Sequence, residues 1–162
     1  MIEKLARKLK DAVCARGVSV AAAESCTGGC VSGAITEIPG SSAFFKGAVV
    51  SYSNGVKEKT LGVPRSVLEQ FGAVSSECAA AMAQGARALL NADFAVSVTG
   101  IAGPDGGSPL KPVGTVWFGL CGPHGVSTQM KRFEGGRADV RRQSVENALL
   151  LLIGAVEGLS DE

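Results

Sequence analysis

Ser25, in the segment Glu24-Ser25-Cys26-Thr27-Gly28-Gly29, stands where a side chain can act as a nucleophile. Small apolar residues before it predict a buried strand, and the residues after it predict a helix. A tight turn between the two exposes a side chain above the sheet and directs free backbone N–H groups to the same place. Thr27, Gly28 and Gly29 can therefore surround a phosphate, a carboxylate or an oxyanion, although serine and threonine are equally common as helix caps. Cys26 is a rival nucleophile, because a helix N-terminus favours the thiolate.

Tyr52 and Lys57 lie at and just beyond the end of the next predicted strand. In a parallel arrangement that strand end opens on the same edge of the sheet as Ser25, where ligands of open α/β sheets bind. A desolvated lysine has a lowered pKa and can accept a serine proton. The single histidine, His124, falls in a predicted surface turn, so a Ser-Lys pair is chemically more accessible than a Ser-His-Asp triad. The alternative is a solvated lysine on a short helix.

A glycine-rich segment, residues 99–112, follows the third predicted strand and suits anion binding. The hydroxyl of Thr99 and the amides from Gly100 to Gly103 can form a second anion or oxyanion cradle. Asp105 is interpreted chiefly as part of an Asp-Gly turn. The segment does not end in Gly-Lys-Ser/Thr, so it is not a Walker loop.

Three arginines, Arg137, Arg141 and Arg142, come at the start of the last predicted helix. Arg137 and Arg141 are four residues apart and therefore share a helix face. A guanidinium on that face can bind a phosphate through two hydrogen bonds. Solvated surface arginines are the alternative interpretation.

The composition limits the classes of function. The 162 residues include 16 basic and 15 acidic side chains, and this balance provides no field that gathers nucleic acid or an acidic membrane surface. With 46% hydrophobic residues and no compositional break, we expect one domain, residues 1–162. The start lacks the apolar core of a signal peptide, no apolar run is long enough to span a bilayer, and five scattered cysteines form no disulfide or zinc pattern. We therefore expect a cytoplasmic protein without a metal site, a nucleic-acid partner or a membrane partner.

The order of elements predicts an α/β protein. Helices are expected up to Gly17, over Cys30–Ile35, from Ser53 or Asn54 to Gly62, from Pro64, from Ser75 or Ser76 to Leu90, and over Ala138–Val156. Strands are expected over Val18–Ala22, Phe45–Tyr52, Phe94–Val98, Val113–Leu120 and Val126–Phe133.

Six motifs occur in one order: AESCTGG, GAVVSYSNGVK, GAVS, VTGIAGPDGG, KPVGTVWFGL and GGRADVRRQ. Together they resemble the CinA C-terminal domain family, and the match is collinear from about residue 3 to residue 155. The resemblance implies a three-layer α/β/α fold with a mixed sheet of about five strands, and an oligomer, with a dimer as the expected form.

The same resemblance implies hydrolysis of nicotinamide mononucleotide to nicotinic acid mononucleotide and ammonia, with no metal or other cofactor. It makes Ser25 the nucleophile and places Tyr52, Lys57 and Thr99 in the site. Arg137 is the best match to the family arginine, although Gly135-Gly136-Arg137 replaces the Gly-Asp-Arg frequent in relatives. The rival hypotheses are a non-catalytic module that binds a phosphorylated nucleotide and a serine hydrolase of another small amide.

Overall fold

The computed structural model describes residues 1–159, so residues 160–162 of the predicted domain lie outside the description. One sheet contains β1 (Val20–Glu24), β2 (Phe45–Val50), β3 (Phe94–Gly100), β4 (Thr115–Gly122) and β5 (Gly125–Arg132). The strand order is β2-β1-β3-β4-β5. β1 runs parallel to β2 and to β3, whereas β4 is antiparallel to both β3 and β5. The sheet is therefore mixed, and the C-terminal ends of β1, β2 and β3 lie at the same edge.

Helices cover both faces of this sheet. One layer contains α1 (Ile2–Arg16), α2 (Cys30–Thr36) and α6 (Arg137–Glu157), and the other contains α3 (Asn54–Leu61), α4 (Arg65–Phe71) and α5 (Ser76–Leu90). Side chains of β1 alternate between the layers: Val20 and Ala22 pack toward the first, and Ala21 and Ala23 toward the second. The three-layer α/β/α fold expected from the sequence is confirmed.

A glycine in α5 sets how closely α3 packs. A Cβ placed on Gly85 would lie 1.9 Å from the carbonyl oxygen of Leu61, the last residue of α3. No side chain fits into that space, so the two helices meet through their backbones. This contact holds α3, which carries Lys57, close to the sheet.

One glycine and two serines cap three helices at the positions that the sequence predicts. Gly17 caps α1 in the left-handed conformation, with φ 63°. The Ser53 side chain accepts the Val56 N–H at the start of α3, and the Ser75 side chain accepts the Cys78 N–H at the start of α5. These three predicted caps are confirmed.

The first two strands differ from their predicted bounds. β1 begins at Val20 rather than Val18, because the Val18 N–H donates to Val13 O and still belongs to the C-terminal cap of α1. β2 ends at Val50 rather than Tyr52, so Tyr52 lies beyond the strand.

β3 is longer than predicted and includes Thr99 and Gly100. Gly100 pairs with Val116 of β4, and a Cβ on Gly100 would lie 2.7 Å from Val116 Cγ2. This glycine therefore permits a close approach of two strands, at a position that the prediction placed after the end of the strand.

Candidate active site

Ser25 follows β1 directly and begins the tight turn that leads into α2. Its N–H donates to Val98 O at 2.9 Å, and its C=O accepts the Gly28 N–H at 3.0 Å. Gly28 and Gly29 have φ of 56° and 100°, in the left-handed region that glycine adopts without strain. Only 9% of Ser25 is exposed. Both glycines therefore shape the turn, and their predicted contact with substrate stays a prediction.

Lys57 reaches Ser25 from α3. Its Nζ lies 3.1 Å from Ser25 Oγ and donates a hydrogen bond to Ser51 O at 2.7 Å. The residue is 1% exposed, so its whole aliphatic chain is buried in the layer between α3 and the sheet. Ser51 is held in turn by β1, because its N–H donates to Glu24 O at 2.7 Å. The ends of β1 and β2 thus bring a hydroxyl and an amine into direct contact.

Burial favours the neutral form of the Lys57 amine. Desolvation lowers the pKa of the Lys57 amine, and within residues 1–159 no carboxylate forms an ion pair with it. A neutral amine has two N–H groups and one lone pair. With one N–H donated to Ser51 O, the lone pair is available to the Ser25 hydroxyl proton. The pair can therefore generate a serine nucleophile.

Glu24 anchors the turn on the other side of the sheet. Its carboxylate is fully buried and accepts the N–H of Val31 at 2.8 Å, the N–H of Ser32 at 3.0 Å and the Ser32 hydroxyl. The first turn of α2 is therefore occupied by a side chain of the protein. The N–H groups of Val31 and Ser32 are therefore not among the free N–H groups that the sequence predicts at this helix end. Sequence reasoning missed this role of Glu24; the signal was an acid six residues before the first residue of a predicted helix.

Thr27 has two polar groups that remain unused. Its Oγ1 is buried and has no hydrogen-bond partner among the described residues. Its N–H likewise has no acceptor in residues 1–159. Buried polar groups are normally paired, so this position agrees with its predicted role in binding better than with a role as a structural cap.

Tyr52 and Arg137 form a second cluster. Arg137, the first residue of α6, donates from Nη1 to Gly103 O at 2.8 Å and from Nη2 to the Tyr52 hydroxyl at 3.2 Å. This bridge joins the end of β2, the glycine-rich loop and α6. Tyr52 is 63% exposed, and no hydrogen bond links it to Ser25 or Lys57 in the part of the chain described. The structure therefore pairs Tyr52 with the arginine rather than with the lysine.

Thr99 and Gly100 face neighbouring protein groups. The Thr99 side chain is 1% exposed, and its hydroxyl donates to Ala73 O at 2.8 Å. This bond fastens the segment before α5 to the end of β3. The hydroxyl proton is used there, and the predicted anion contacts of Thr99 and Gly100 stay predictions.

Arg141 and Arg142 point in different directions. Arg141 donates to the backbone and a side chain of the turn that carries Ser25. Arg142 is exposed and forms ion pairs with Asp139 and Glu146 on its own helix. The guanidinium of Arg141 thus already has protein partners. Its predicted phosphate contact stays a prediction.

Cys26 is buried as a thiol. Burial raises its pKa to about 11, although the nearby Arg141 cation acts in the opposite direction. The thiolate is therefore scarce at neutral pH, and the expectation that the helix end favours it is wrong. Burial outweighs the helix because Glu24 already occupies the first turn of α2.

Asp105 and His124 are both exposed, the first in the glycine-rich loop and the second in the turn between β4 and β5. Among residues 1–159, no group of three His, Cys, Asp or Glu side chains is arranged to hold a metal ion. None of the helices in the same range is both long and apolar enough to cross a membrane.

Comparison with known proteins gives concordant matches. The model of the CinA C-terminal domain matches residues 2–156. The nicotinamide-nucleotide amidohydrolase PncC of Pseudomonas putida is 49% identical over 155 residues, which cover 94% of this chain and 97% of that protein. A CinA-like protein of Fervidobacterium nodosum is 50% identical over 126 residues, and these span 78% of this chain but only 31% of that longer protein.

A solved structure shares the fold. The competence/damage inducible protein CihA from Agrobacterium tumefaciens superposes with a TM-score of 0.92 at 46% sequence identity. The superposition covers 96% of this chain and 95% of that one.

The carboxylate of Glu24 should be a large local contribution to stability. We expect Glu24→Gln to lower the free energy of unfolding by about 2 kcal/mol, because one amide oxygen must replace a carboxylate that accepts three hydrogen bonds. Urea unfolding followed by circular dichroism measures this change. Glu37→Gln, at the exposed opposite end of α2, is the control and should change it by less than about 0.5 kcal/mol. Equal losses in the two variants would contradict the assignment.

Proposed function

The chain belongs to the CinA C-terminal domain family, and we propose that it hydrolyses nicotinamide mononucleotide to nicotinic acid mononucleotide and ammonia. The observation that carries the proposal is the contact between Ser25 Oγ and the buried Lys57 Nζ at 3.1 Å. The substrate comes from the relatives, since PncC of Pseudomonas putida is named a nicotinamide-nucleotide amidohydrolase and matches over 94% of the chain. The reaction serves the salvage of pyridine nucleotides.

The first half of the proposed reaction forms an acyl-enzyme. Ser25 Oγ attacks the carboxamide carbon while its proton passes to the lone pair of Lys57 Nζ. The carbonyl electrons move to oxygen, and backbone amides near Ser25 or Thr99 stabilise the oxyanion. Each such donor contributes roughly 3 kcal/mol in comparable sites. The C–N bond then breaks, and ammonia departs with the proton that Lys57 returns.

The second half regenerates the enzyme. Water attacks the ester carbon and transfers a proton to the neutral Lys57 amine, and the ester C–O bond breaks. Ser25 recovers its proton from Lys57, and the acid product releases its remaining proton to solvent and leaves as a carboxylate. Nucleophile and base are both side chains of the chain, so the proposal requires no metal and no cofactor.

The remaining predicted residues are assigned to binding. Arg137 and Tyr52 form a polar rim that suits the phosphate and ribose of the substrate, with Arg137 as the phosphate ligand. Arg141, the other arginine that the sequence offered for that phosphate, is left out of the phosphate site because its guanidinium binds the carbonyls of Cys26 and Thr27. Thr27, Gly28 and Gly29 bind near the carboxamide, and Thr99 with Gly100 binds from the glycine-rich loop. Tyr52 can assist Lys57 only if its hydroxyl gives up the hydrogen bond from Arg137 and turns to Lys57 instead.

The geometry favours catalysis over a binding module. A module that only holds a phosphorylated nucleotide gains nothing from a desolvated lysine against a serine hydroxyl, because a buried amine without an ion-pair partner lowers stability. Stability given up at a functional site is typical of enzymes. A different small amide as substrate is the remaining alternative, and a panel of amides separates the two.

We extend the proposal to the setting of the protein. The chain acts as one domain over residues 1–162, in the cytoplasm. All five cysteines lie within the described residues and are free thiols, which supports a reducing compartment. We propose that it is a homodimer, as the sequence resemblance implied.

A dimer should be visible in solution. β5 is an edge strand of eight residues, and its outer backbone groups pair with no strand in residues 1–159. Light scattering after size-exclusion chromatography should give twice the mass of one chain. A mass equal to one chain at micromolar concentration would contradict this proposal without affecting the chemistry at Ser25.

Replacement of the nucleophile should abolish the reaction. We expect Ser25→Ala to lower the release of ammonia and of nicotinic acid mononucleotide by about 10³-fold or more, because no acyl-enzyme can form. Cys26→Ala is the matched control, because the buried thiol takes part in no step of the proposed reaction. This variant should keep activity within about threefold. Loss in Cys26→Ala together with retention in Ser25→Ala would overturn the assignment.

Activity should follow the protonation of Lys57. Below the lowered pKa of this amine it carries a proton and cannot accept that of Ser25, so kcat/KM should fall as the pH falls through that value and level off above it. Lys57→Arg should be about 10³-fold slower, since a guanidinium stays protonated at every accessible pH. Lys59→Arg, exposed on the same helix, should keep the wild-type profile. A rise confined to the ordinary lysine range would contradict the role of base.

A further inference from the structure

Arg141 donates hydrogen bonds to the turn that carries Ser25 and to the first residue of α2. Its Nε donates to Cys26 O at 3.1 Å, and its Nη2 donates to Thr27 O at 3.2 Å and to Cys30 Sγ at 3.3 Å. The contact crosses more than a hundred residues of sequence, from α6 to the end of β1. One guanidinium thus binds two consecutive carbonyl groups directly after the nucleophile.

The first of these carbonyls belongs to the peptide unit that also contains the Thr27 N–H. In a turn that begins with serine, the N–H two residues later is the backbone group that lies within reach of the serine side chain. The turn begins at Ser25, as the bond from Gly28 N–H to Ser25 O shows, so this N–H is that of Thr27. It has no acceptor within residues 1–159, so its hydrogen-bonding capacity is unused by the protein.

A cation bound to a carbonyl oxygen withdraws electron density from its peptide unit and makes the N–H of that unit a stronger donor. Arg141 has this relation to the Thr27 N–H through Cys26 O. Its second bond, to Thr27 O, fixes the orientation of the next peptide unit. The same guanidinium therefore orients and polarises one donor without touching the substrate.

The neighbouring arginine provides the contrast. Arg142 extends to solvent and binds only carboxylates of its own helix. Arg137 binds the glycine-rich loop and the Tyr52 hydroxyl, away from the Ser25 turn. Among these three arginines, only Arg141 contacts the backbone beside the nucleophile.

We propose that Arg141 is a positioning residue for the oxyanion site, acting through the Cys26–Thr27 peptide unit, and that it is not a phosphate ligand. The inference rests on the proposed function for the identity of the reaction. It concerns the transition state, so the loss of Arg141 lowers kcat and leaves KM for the substrate nearly unchanged.

A substrate without a phosphate distinguishes the two possible roles of Arg141, which are positioning the oxyanion donor and binding the phosphate. We expect Arg141→Met to reduce kcat by about 100-fold and Arg141→Lys by about 10-fold, because a lysine reaches one carbonyl but lacks the planar fork. The factor should be the same for nicotinamide mononucleotide and for nicotinamide riboside, with KM within about twofold of wild type. Arg142→Met is the control and should match wild type on both. A loss seen only with the phosphorylated substrate, or mainly in KM, would overturn the proposal.

A second measurement does not depend on the amide substrate. A fluorophosphonate labels an activated serine: a bond forms from Ser25 Oγ to phosphorus, fluoride leaves, and the serine proton passes to Lys57. Mass spectrometry should show that wild type and Arg142→Met are labelled at the same rate. Both Arg141 variants should be labelled more slowly, by about the same factors as their loss in kcat. Thermal unfolding of each variant shows whether the fold is kept, and Arg141→Lys remains informative if Arg141→Met unfolds. Labelling of Arg141→Lys at the wild-type rate would overturn the proposal.

The two measurements keep the two hypotheses apart. If wild type is labelled at Ser25 but releases no ammonia from nicotinamide mononucleotide, the proposed function fails while the labelling rates still test Arg141. If wild type turns over and the Arg141 variants match it in kcat and in labelling, the role of Arg141 fails while the proposed function stands.

Discussion

The buried amine of Lys57 against the hydroxyl of Ser25 is the interaction on which the rest of the site depends. An amine in water is protonated at neutral pH and cannot serve as a base, so its value here comes from desolvation. An adjacent carboxylate would restore the charge, and the described residues place none in an ion pair with it. The nearest strong polar partner is instead the neutral carbonyl of Ser51, which orients the amine without holding it as a cation.

The nucleophile is held in place by elements from both helical layers. Ser25 and Glu24 are consecutive, and their side chains point to opposite faces of β1, as in any strand. Glu24 fixes the turn to α2 in one layer, while Ser25 meets Lys57 of α3 in the other. Arg141 adds a contact from α6 to the backbone carbonyl of Cys26, directly after Ser25. A single turn therefore receives support from three helices, which suits a group that must stay aligned through a reaction.

Much of this arrangement follows from the sequence, because local signals and motif order agree. The small apolar run before Ser25 and the caps at Gly17, Ser53 and Ser75 indicate elements that the structure contains. Parallel strands then bring Ser25 and Lys57 to one edge. Tertiary partners lie beyond such signals, since a motif does not reveal which carbonyl a side chain will reach.

Particular residues show this limit. Gly100 reads as a loop residue by composition, but its partner strand is fifteen residues away and only pairing reveals its role. The sequence separates Arg141 from Arg142 only by helix face, and it does not reveal that Arg141 binds the turn while Arg142 faces solvent. In the sequence, Glu24 is one charged residue of a motif. Only the structure shows that its carboxylate accepts hydrogen bonds from the first turn of α2.

The missing side chain at position 85 has a consequence for the conditions under which the protein can work. It lets α3 settle against α5, and that depth keeps water from the amine on α3. A bulkier residue there would lift the helix, rehydrate the amine and return its pKa toward the value of a free lysine. The spacing between α3 and α5 thus determines the pH range in which the enzyme is active. Natural variation at position 85 would shift that range without changing the residues that perform the chemistry.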